Sequence, residues 1–552
     1  MGSFCRNAVK LFSQRRLLRT NSFFPISAAE KSTDASLVSN RISSSVSSKL
    51  VLPDRYVGQP SWKTHPHLMT ENETTPGISR QEYARRRELF MKKLMTKAAG
   101  DNIQSSDPNL SVVASMNHIV VLQAAPTYFS APDVPYPFRQ DSNFLYLTGF
   151  REPDSILILH NDSDGSCRSA LFVAPRNEHK ELWEGPRAGV DGASALTGID
   201  LVLERHELYS YLQTYAKRHC AGRRFLLWRD PSRRPFVSLP AKAYPVVGGH
   251  SASQSLVNLD LDQYMSQFAV GGAINPIPAL HELRWIKSEA EINLLRQAGR
   301  VGAEAMIETM RFSRANIVEN MLAGKMDLEC RLRGADGLAY PPVVAGGARA
   351  NVIHYLNNDQ RISEKENLVL MDAGCDLGGY VSDITRTWPV TGRFTDPQRV
   401  LYEIVHQVQQ ELLDYVATER PITLRDIFVR MLQSLALGIR EAGILRTPAT
   451  DEEAEIREAD RFCPHHVSHY LGMDVHDVDS VSKQIDLKPG VVITVEPGLY
   501  IKPNDTSVKE EFRGLGIRIE DDVLVTDTGA HVLTETVPKA PDDIERVIRT
   551  RV

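Results

Sequence analysis

Two apolar runs in the second half of the chain each end on an acid. Leu368-Val-Leu-Met371 leads into Asp372, and Val491-Val-Ile-Thr-Val495 leads into Glu496, with Pro497-Gly498 directly after. Short runs this rich in Val, Ile and Leu read as buried strands. A carboxylate delivered to the end of a buried strand is costly unless it is paired or bound to a metal. A fold that accepts both strands must therefore bring positive charge to the place where they end.

The neighbouring segments offer more groups of the same kind. A Gly-rich turn (Gly374, Gly378, Gly379) follows Asp372, and a second acid, Asp383, stands ahead of a β-branched run. A strand, turn and return strand can bring these two carboxylates together. His465, His469 and His476 fall within one short segment of a chain that has 16 histidines in all. In Gly514–Asp521, Leu515, Ile517 and Ile519 take one face of a strand, and Gly516, Arg518 and Glu520 take the other. Each signal alone has an ordinary reading: a turn acceptor, a polar loop, a solvated strand end, or a surface ion pair worth about 0–1 kcal/mol. Together they supply Asp372, Asp383, a histidine from the 465–476 segment, Glu496 and Glu520. Four carboxylates at close quarters stay ionised only if neutralised, and two divalent cations balance them. Oxygen-rich ligation with one imidazole favours Mn²⁺, with Co²⁺, Fe²⁺ and Zn²⁺ as alternatives. Two metals about 3.5–4 Å apart can share an activated water and clamp a tetrahedral intermediate.

The rest of the chain sets limits. A single core rarely grows past about 250–300 residues, so 552 residues imply at least two domains. We expect a presequence over 1–50, an N-terminal mixed α/β domain over 51–275 and an α+β catalytic domain over 280–552. The linker is expected around Ala273–Pro278. The first domain is predicted to hold a charged helix over 75–100, with Tyr83, Leu89 and Leu94 as its apolar positions. Its predicted strands are Val112–Ala114, Ile119–Leu122, Ser155–Leu159 and Ala170–Val173. In the second, the Ser288-x-x-Glu291 capping box, Asp396-Pro397 and Thr423 mark helix starts. Leu368–Met371, Val491–Val495 and Leu515–Val525 form a mostly antiparallel, half-buried sheet.

A net charge of −5 argues against bulk electrostatic binding of nucleic acid. No apolar run reaches the roughly 18 residues that span a bilayer. Six widely spaced cysteines without a C-x-x-C pair argue against a disulfide framework or a structural zinc site. Residues 1–29 carry Arg6, Lys10, Arg15, Arg16 and Arg19 and no acid, with Leu11, Phe12, Leu17 and Leu18 interleaved. That composition is a mitochondrial transit peptide, with the matrix as destination and a cytosolic form from a later start as an alternative.

The order of these motifs resembles the pita-bread metallopeptidases, and within them the mitochondrial aminopeptidase P group. Further segments carry the resemblance: Gly58-Gln-Pro-Ser-Trp-Lys-Thr-His-Pro-His67, Phe138-Arg-Gln-Asp-Ser-Asn-Phe-Leu-Tyr-Leu-Thr-Gly149, Glu181-Leu-Trp-Glu-Gly-Pro-Arg187 and Leu338-Ala-Tyr-Pro-Pro-Val-Val-Ala-Gly-Gly347. The resemblance implies a curved antiparallel sheet covered by helices, behind an N-terminal α/β domain. It implies Asp372, Asp383, His469, Glu496 and Glu520 as ligands of two divalent metals, with Asp383 and Glu520 bridging. Glu496 would also shuttle the proton of the attacking water. His354, His465 and His476 would be catalytic, and Tyr340, His354, His476 and Arg518 would contact substrate, with Tyr500 beside them. The chain departs from the family pattern chiefly at His466 and in the length of the loop at Asn357-Asn358-Asp359. The implied reaction removes the N-terminal residue from peptides and proteins with proline second, by a homodimer or homotetramer that binds no nucleic acid or membrane. The alternatives are a mitochondrial intermediate-cleaving peptidase that trims one bulky residue without needing proline, a prolidase, and a metal-free binding module.

Overall fold

The computed structural model describes residues 51–550, apart from 104–116, 163–164, 220–224, 231–237, 240–256, 259–264 and 266–268. The expected presequence and the strand expected at Val112–Ala114 lie outside the described residues.

The first unit is built on a six-stranded mixed sheet. Its order is Ala269–Ile274, Phe225–Arg229, His118–Gln123, Ile156–Asn161, Cys167–Val173, Leu201–Glu204. The three middle strands pair antiparallel, and the outer pairings are parallel. Ile119–Leu122, Ile156–Leu159 and Ala170–Val173 are buried throughout, which explains their unbroken apolar runs. One face packs on Leu208, Tyr211, Leu212 and Tyr215 of helix Leu208–His219. The other packs on helix Arg80–Ile103, which turns Tyr83, Phe90, Met91 and Leu94 inward. Leu89, expected on that face, is exposed, because the inward stripe runs through Phe90 instead.

The stretch expected as a linker is structured. It holds the end of strand Ala269–Ile274 and the start of helix Ile277–Trp285. Pro276 caps that helix and Pro278 lies in its first turn, where a missing N–H is tolerated.

The second unit consists of small antiparallel ladders and long helices. Leu368–Asp372 pairs with Val343–Gly346 on one side and Thr385–Pro389 on the other. Helix Glu289–Phe312 starts at the expected Ser288/Glu291 capping box, and helices Asp396–Thr418 and Leu424–Glu441 start where predicted. The run Leu515–Val525 is two strands, not one. Gly516–Arg518 pairs with Gly498–Tyr500, whereas Asp521–Thr526 pairs with Val492–Val495. At the break, the Glu520 N–H donates to Thr385 O at 3.1 Å, which ties the two ladders to a third. The ladders are buried on both faces rather than half-buried. Their polar members, Thr385, Arg386, Thr387, Asp521 and Asp522, are inside the protein and hydrogen-bonded there.

The two units share a core. Tyr83, Phe90 and Leu145 cluster with Leu294, Tyr380, Leu471 and Met473. Buried charges cross the same boundary: Arg86 lies 3.4 Å from Glu291, which also accepts from the Tyr380 hydroxyl at 3.0 Å.

Candidate metal centre

The ladders converge the acids. Asp372 ends its strand opposite Thr385. Asp383 follows Ser382, whose carbonyl occupies the place a Cβ on Gly374 would take, so only glycine lets the return strand come this close. The Tyr340 hydroxyl bonds both carboxylates, Asp372 Oδ1 at 2.7 Å and Asp383 Oδ1 more closely. His469 sits against strand Val492–Val495, where its carbonyl accepts from the Thr494 N–H at 3.0 Å. Its Nδ1 donates to Tyr470 O at 3.1 Å, which leaves the Nε2 lone pair for the site. That Nε2 is 3.4 Å from Asp383 Oδ2 and 3.6 Å from Glu496 Oε1. Asp383, His469 and Glu520 form the tightest group, offering one ligand atom each within 4.8 Å of one another. Asp372 joins them through Tyr340, and Glu496 through His469.

The electrostatics of this group call for a cation. Asp383, Glu496 and Glu520 are enclosed, and burial pushes each carboxyl well above its usual range. Mutual repulsion adds to this, from Asp372 on Asp383, from Glu520 on Glu496 and from Asp383 on Glu520. Among the described residues, Arg518, 2% exposed, is the buried guanidinium bonded to these acids, with Nη2 2.6 Å from Asp372 Oδ2. One guanidinium cannot balance four carboxylates, whereas a hard divalent ion with oxygen and imidazole ligands can. The donor set therefore fits divalent metal.

The other predicted residues form the wall. Arg518 Nη1 donates to the Tyr500 hydroxyl at 2.9 Å, and that hydroxyl donates onward to His465 Nε2 at 2.9 Å. His465 Nδ1 donates to His466 O at 3.1 Å, so both ring nitrogens of His465 are taken. His476 stacks edge-on to His469, with centroids 4.6 Å apart. Burial, helped by His469 and His354, lowers its pKa to about 4, so it is a neutral donor at physiological pH. His354 is exposed at the rim. His466 stacks on Phe428, with ring centroids 5.0 Å apart.

Several supporting residues escaped the sequence reading. Thr385 Oγ1 donates to Glu520 Oε2 at 2.6 Å and accepts from Arg518 Nε at 3.0 Å. Thr385 and Thr387 share one face of strand Thr385–Pro389 by the period of two, a pattern that the β-branched composition of the run hides. Asp522 accepts from the Asp383 N–H at 3.1 Å, and nothing in the sequence marks that contact.

Residues 293–527 match the model of metallopeptidase family M24, and residues 83–222 match the aminopeptidase P N-terminal domain. Xaa-Pro aminopeptidase 3 of Mus musculus is 42% identical over 500 residues, 90% of this chain and 91% of the relative. The chain belongs to the aminopeptidase P group of metallopeptidase family M24. Another member similar to it is the mitochondrial intermediate cleaving peptidase 55 of Arabidopsis thaliana, 37% identical over 90% of this chain and 88% of the relative. Among solved structures, proline aminopeptidase P II from Yersinia pestis superposes with a TM-score of 0.71 at 33% identity, covering 86% of this chain and all of that one. As in the pita-bread aminopeptidase P structures, a helix-covered α+β unit follows a mixed α/β unit. The chain is a metallopeptidase that uses divalent metal, and no described helix is long and apolar enough to cross a membrane.

A pH dependence follows for this member of the family. Without metal, the raised carboxyls hold protons that the unfolded chain releases above its ordinary carboxylate pKa of about 4. Folded stability of the metal-stripped protein should thus fall as pH rises through the folded pKa values. Added divalent ion, which needs deprotonated ligands, should raise the melting temperature more at about pH 8 than at about pH 5. Calorimetry with and without Mn²⁺ checks this, and an equal shift at both pH values would contradict it.

Proposed function

We propose that the chain is an Xaa-Pro aminopeptidase with two divalent ions, Mn²⁺ by preference, held by Asp372, Asp383, His469, Glu496 and Glu520. The observation that carries the reading is the enclosed cluster of Asp383, His469 and Glu520, with Asp372 and Glu496 at its edges, inside an aminopeptidase P chain. The domain division proposed is 51–275 and 280–552, behind a presequence over 1–50.

The metals supply Lewis acidity and make water a nucleophile near neutral pH. The side chains do the rest. Glu496 holds the proton of the attacking water and passes it from its carboxyl oxygen to the leaving prolyl nitrogen. His476, neutral, donates an N–H to the scissile carbonyl. His465 has no free nitrogen and acts through Tyr500, which fixes Arg518 against Asp372. His354 and Tyr340 line the substrate path. The prolyl nitrogen carries no hydrogen, so a site that recognises the ring selects Xaa-Pro where peptidases gripping an N–H do not. The substrate bond is trans, because a cis bond would point the chain away.

The second reading, an intermediate-cleaving peptidase, is favoured by the Arabidopsis relative's name and high coverage. Its ligands would be identical. The Mn²⁺-loaded protein is therefore profiled on matched Xaa-Pro and Xaa-Ala pentapeptides. A preference for proline of about 100-fold or more in kcat/KM supports the first reading, and faster cleavage of Tyr-Ala peptides supports the second. The mitochondrial address, in the matrix, rests on the Arg-rich, acid-free residues 1–29 and on mitochondrial relatives. Self-association as a dimer or tetramer is supported by exposed Tyr128, Phe129, Val134 and Tyr136 on one hairpin of the N-terminal unit.

A further inference from the structure

Glu319 is the first residue of helix Glu319–Leu332, and nothing in its own sequence marks it as functional. It is fully buried, at 0% exposure, yet it is an acid. Its two oxygens accept four hydrogen bonds. Oε1 takes the Gly346 N–H at 2.8 Å and Arg349 Nε at 2.7 Å. Oε2 takes the Tyr355 hydroxyl at 3.0 Å and the Gln360 N–H at 3.0 Å. Its own N–H donates to Gln360 O at 3.0 Å. All of these partners lie in one segment, 346–360, and they bracket His354 on both sides. Asn358 adds a second pin in the same segment. Buried and at φ +51°, it accepts from the Val344 N–H at 3.0 Å and donates to Pro342 O at 2.8 Å.

Within the segment the exposure alternates. Val352, His354 and Leu356 are exposed, whereas Ile353 and Tyr355 pack on Val343, Ala345, Ala350, Leu370 and Tyr500. Tyr500 is the phenol that holds His465 and Arg518. The segment also presses on the strand that leads to Glu520, since a Cβ on Gly516 would lie 2.7 Å from Ala350 O. The inner face of the segment is thus a wall of the metal centre, and its outer face presents His354. Loops fix side chains poorly unless their backbone and neighbours are tied down. Here one carboxylate ties both ends, and it does so with charge-assisted and backbone bonds that a neutral side chain cannot all reproduce.

We infer that Glu319 is the positioning residue of the substrate-binding segment, holding His354 where it meets the peptide. The inference rests on the reading of His354 as a substrate contact, and a double-mutant cycle tests the two separately. Four full-length Mn²⁺-loaded proteins are compared on an Xaa-Pro pentapeptide: wild type, His354→Ala, Glu319→Gln and the double variant. Metal content and melting temperature are read alongside kcat and KM.

His354→Ala is expected to lower kcat/KM by about tenfold or more. Glu319→Gln should reproduce that loss with the same split between KM and kcat and with metal content unchanged, and the double variant should be no worse than His354→Ala alone. A Glu319→Gln loss that multiplies in full onto that of His354→Ala overturns the inference, as does unchanged kcat/KM in the folded Glu319→Gln protein. An unchanged kcat/KM in His354→Ala removes the substrate role of His354 and the inference with it, while proline-selective cleavage by the wild type still upholds the proposed activity. If Glu319→Gln does not fold, Tyr355→Phe decides. That variant deletes one of the four bonds, and its smaller loss should vanish in the His354→Ala background; a loss that persists there overturns the inference.

Discussion

Replacing Glu496 by Gln is expected to leave a folded protein whose turnover of Xaa-Pro peptides falls by about 10²- to 10⁴-fold. The amide keeps the size of the side chain and one ligating oxygen but cannot carry a proton between water and leaving group. Glu496 Oε1 lies 3.6 Å from His469 Nε2, which places the carboxylate beside the other ligands, where the attacking water would be held. The loss should fall on kcat, with metal content close to that of the wild type. Near-normal turnover in Glu496→Gln would remove the residue from its assigned role. Loss of metal together with activity would make it a ligand alone.

The second large effect concerns stability. Asp477, next to His476, is buried and shared by two cations. Arg284 bonds its Oδ1, and Lys287 Nζ lies 3.1 Å from its Oδ2. Arg284 also reaches Asp474 at 2.9 Å and Asn143 at 2.6 Å, and Ser142 donates to Asp474 at 2.5 Å. Arg139 adds a bond to Asp376 at 2.9 Å, in the strand Cys375–Leu377 between Asp372 and Asp383. The network therefore bolts the N-terminal unit to the loops that carry His469, His476 and Asp383. Asp477→Ala leaves the buried Lys287 without a carboxylate and Arg284 with Asp474 as its remaining one, and the expected loss is about 3–5 kcal/mol of unfolding free energy. Chemical denaturation of the metal-loaded protein measures it. A change below about 1 kcal/mol would show that the network contributes little more than a surface pair.

Much of the site was legible as letters. Asp372 and Glu496 stand out because an apolar run ends on each, and the 465–476 segment because it is crowded with imidazoles, among which only the family resemblance singles out His469. The capping box at Ser288 also read correctly, being a contact over three residues. Glu291, in that box, shows where such reading stops. Its side chain caps its own helix and also meets Arg86 and Tyr380, which are distant in sequence. The split of Leu515–Val525 was invisible for the same reason, because the bond from Glu520 N–H to Thr385 O is an event between strands. Leu89 lies outside the buried stripe and Ala273–Pro278 is structured, because local periodicity and prolines do not say which neighbour will cover a segment.

The sequence alone determined the chemistry: which carboxylates and imidazoles exist, that their strands are apolar enough to be buried, and hence that the acids need cations. Tertiary structure decided the surroundings of these groups. It closed both nitrogens of His465, left His476 neutral, set Thr385 against Glu520 and Asp522 against Asp383, and placed Glu319 behind the segment that carries His354. The reason is physical. Burial energy is encoded in short periodic patterns, whereas hydrogen-bond partners and pKa shifts depend on which distant groups the packed chain brings within about 3 Å.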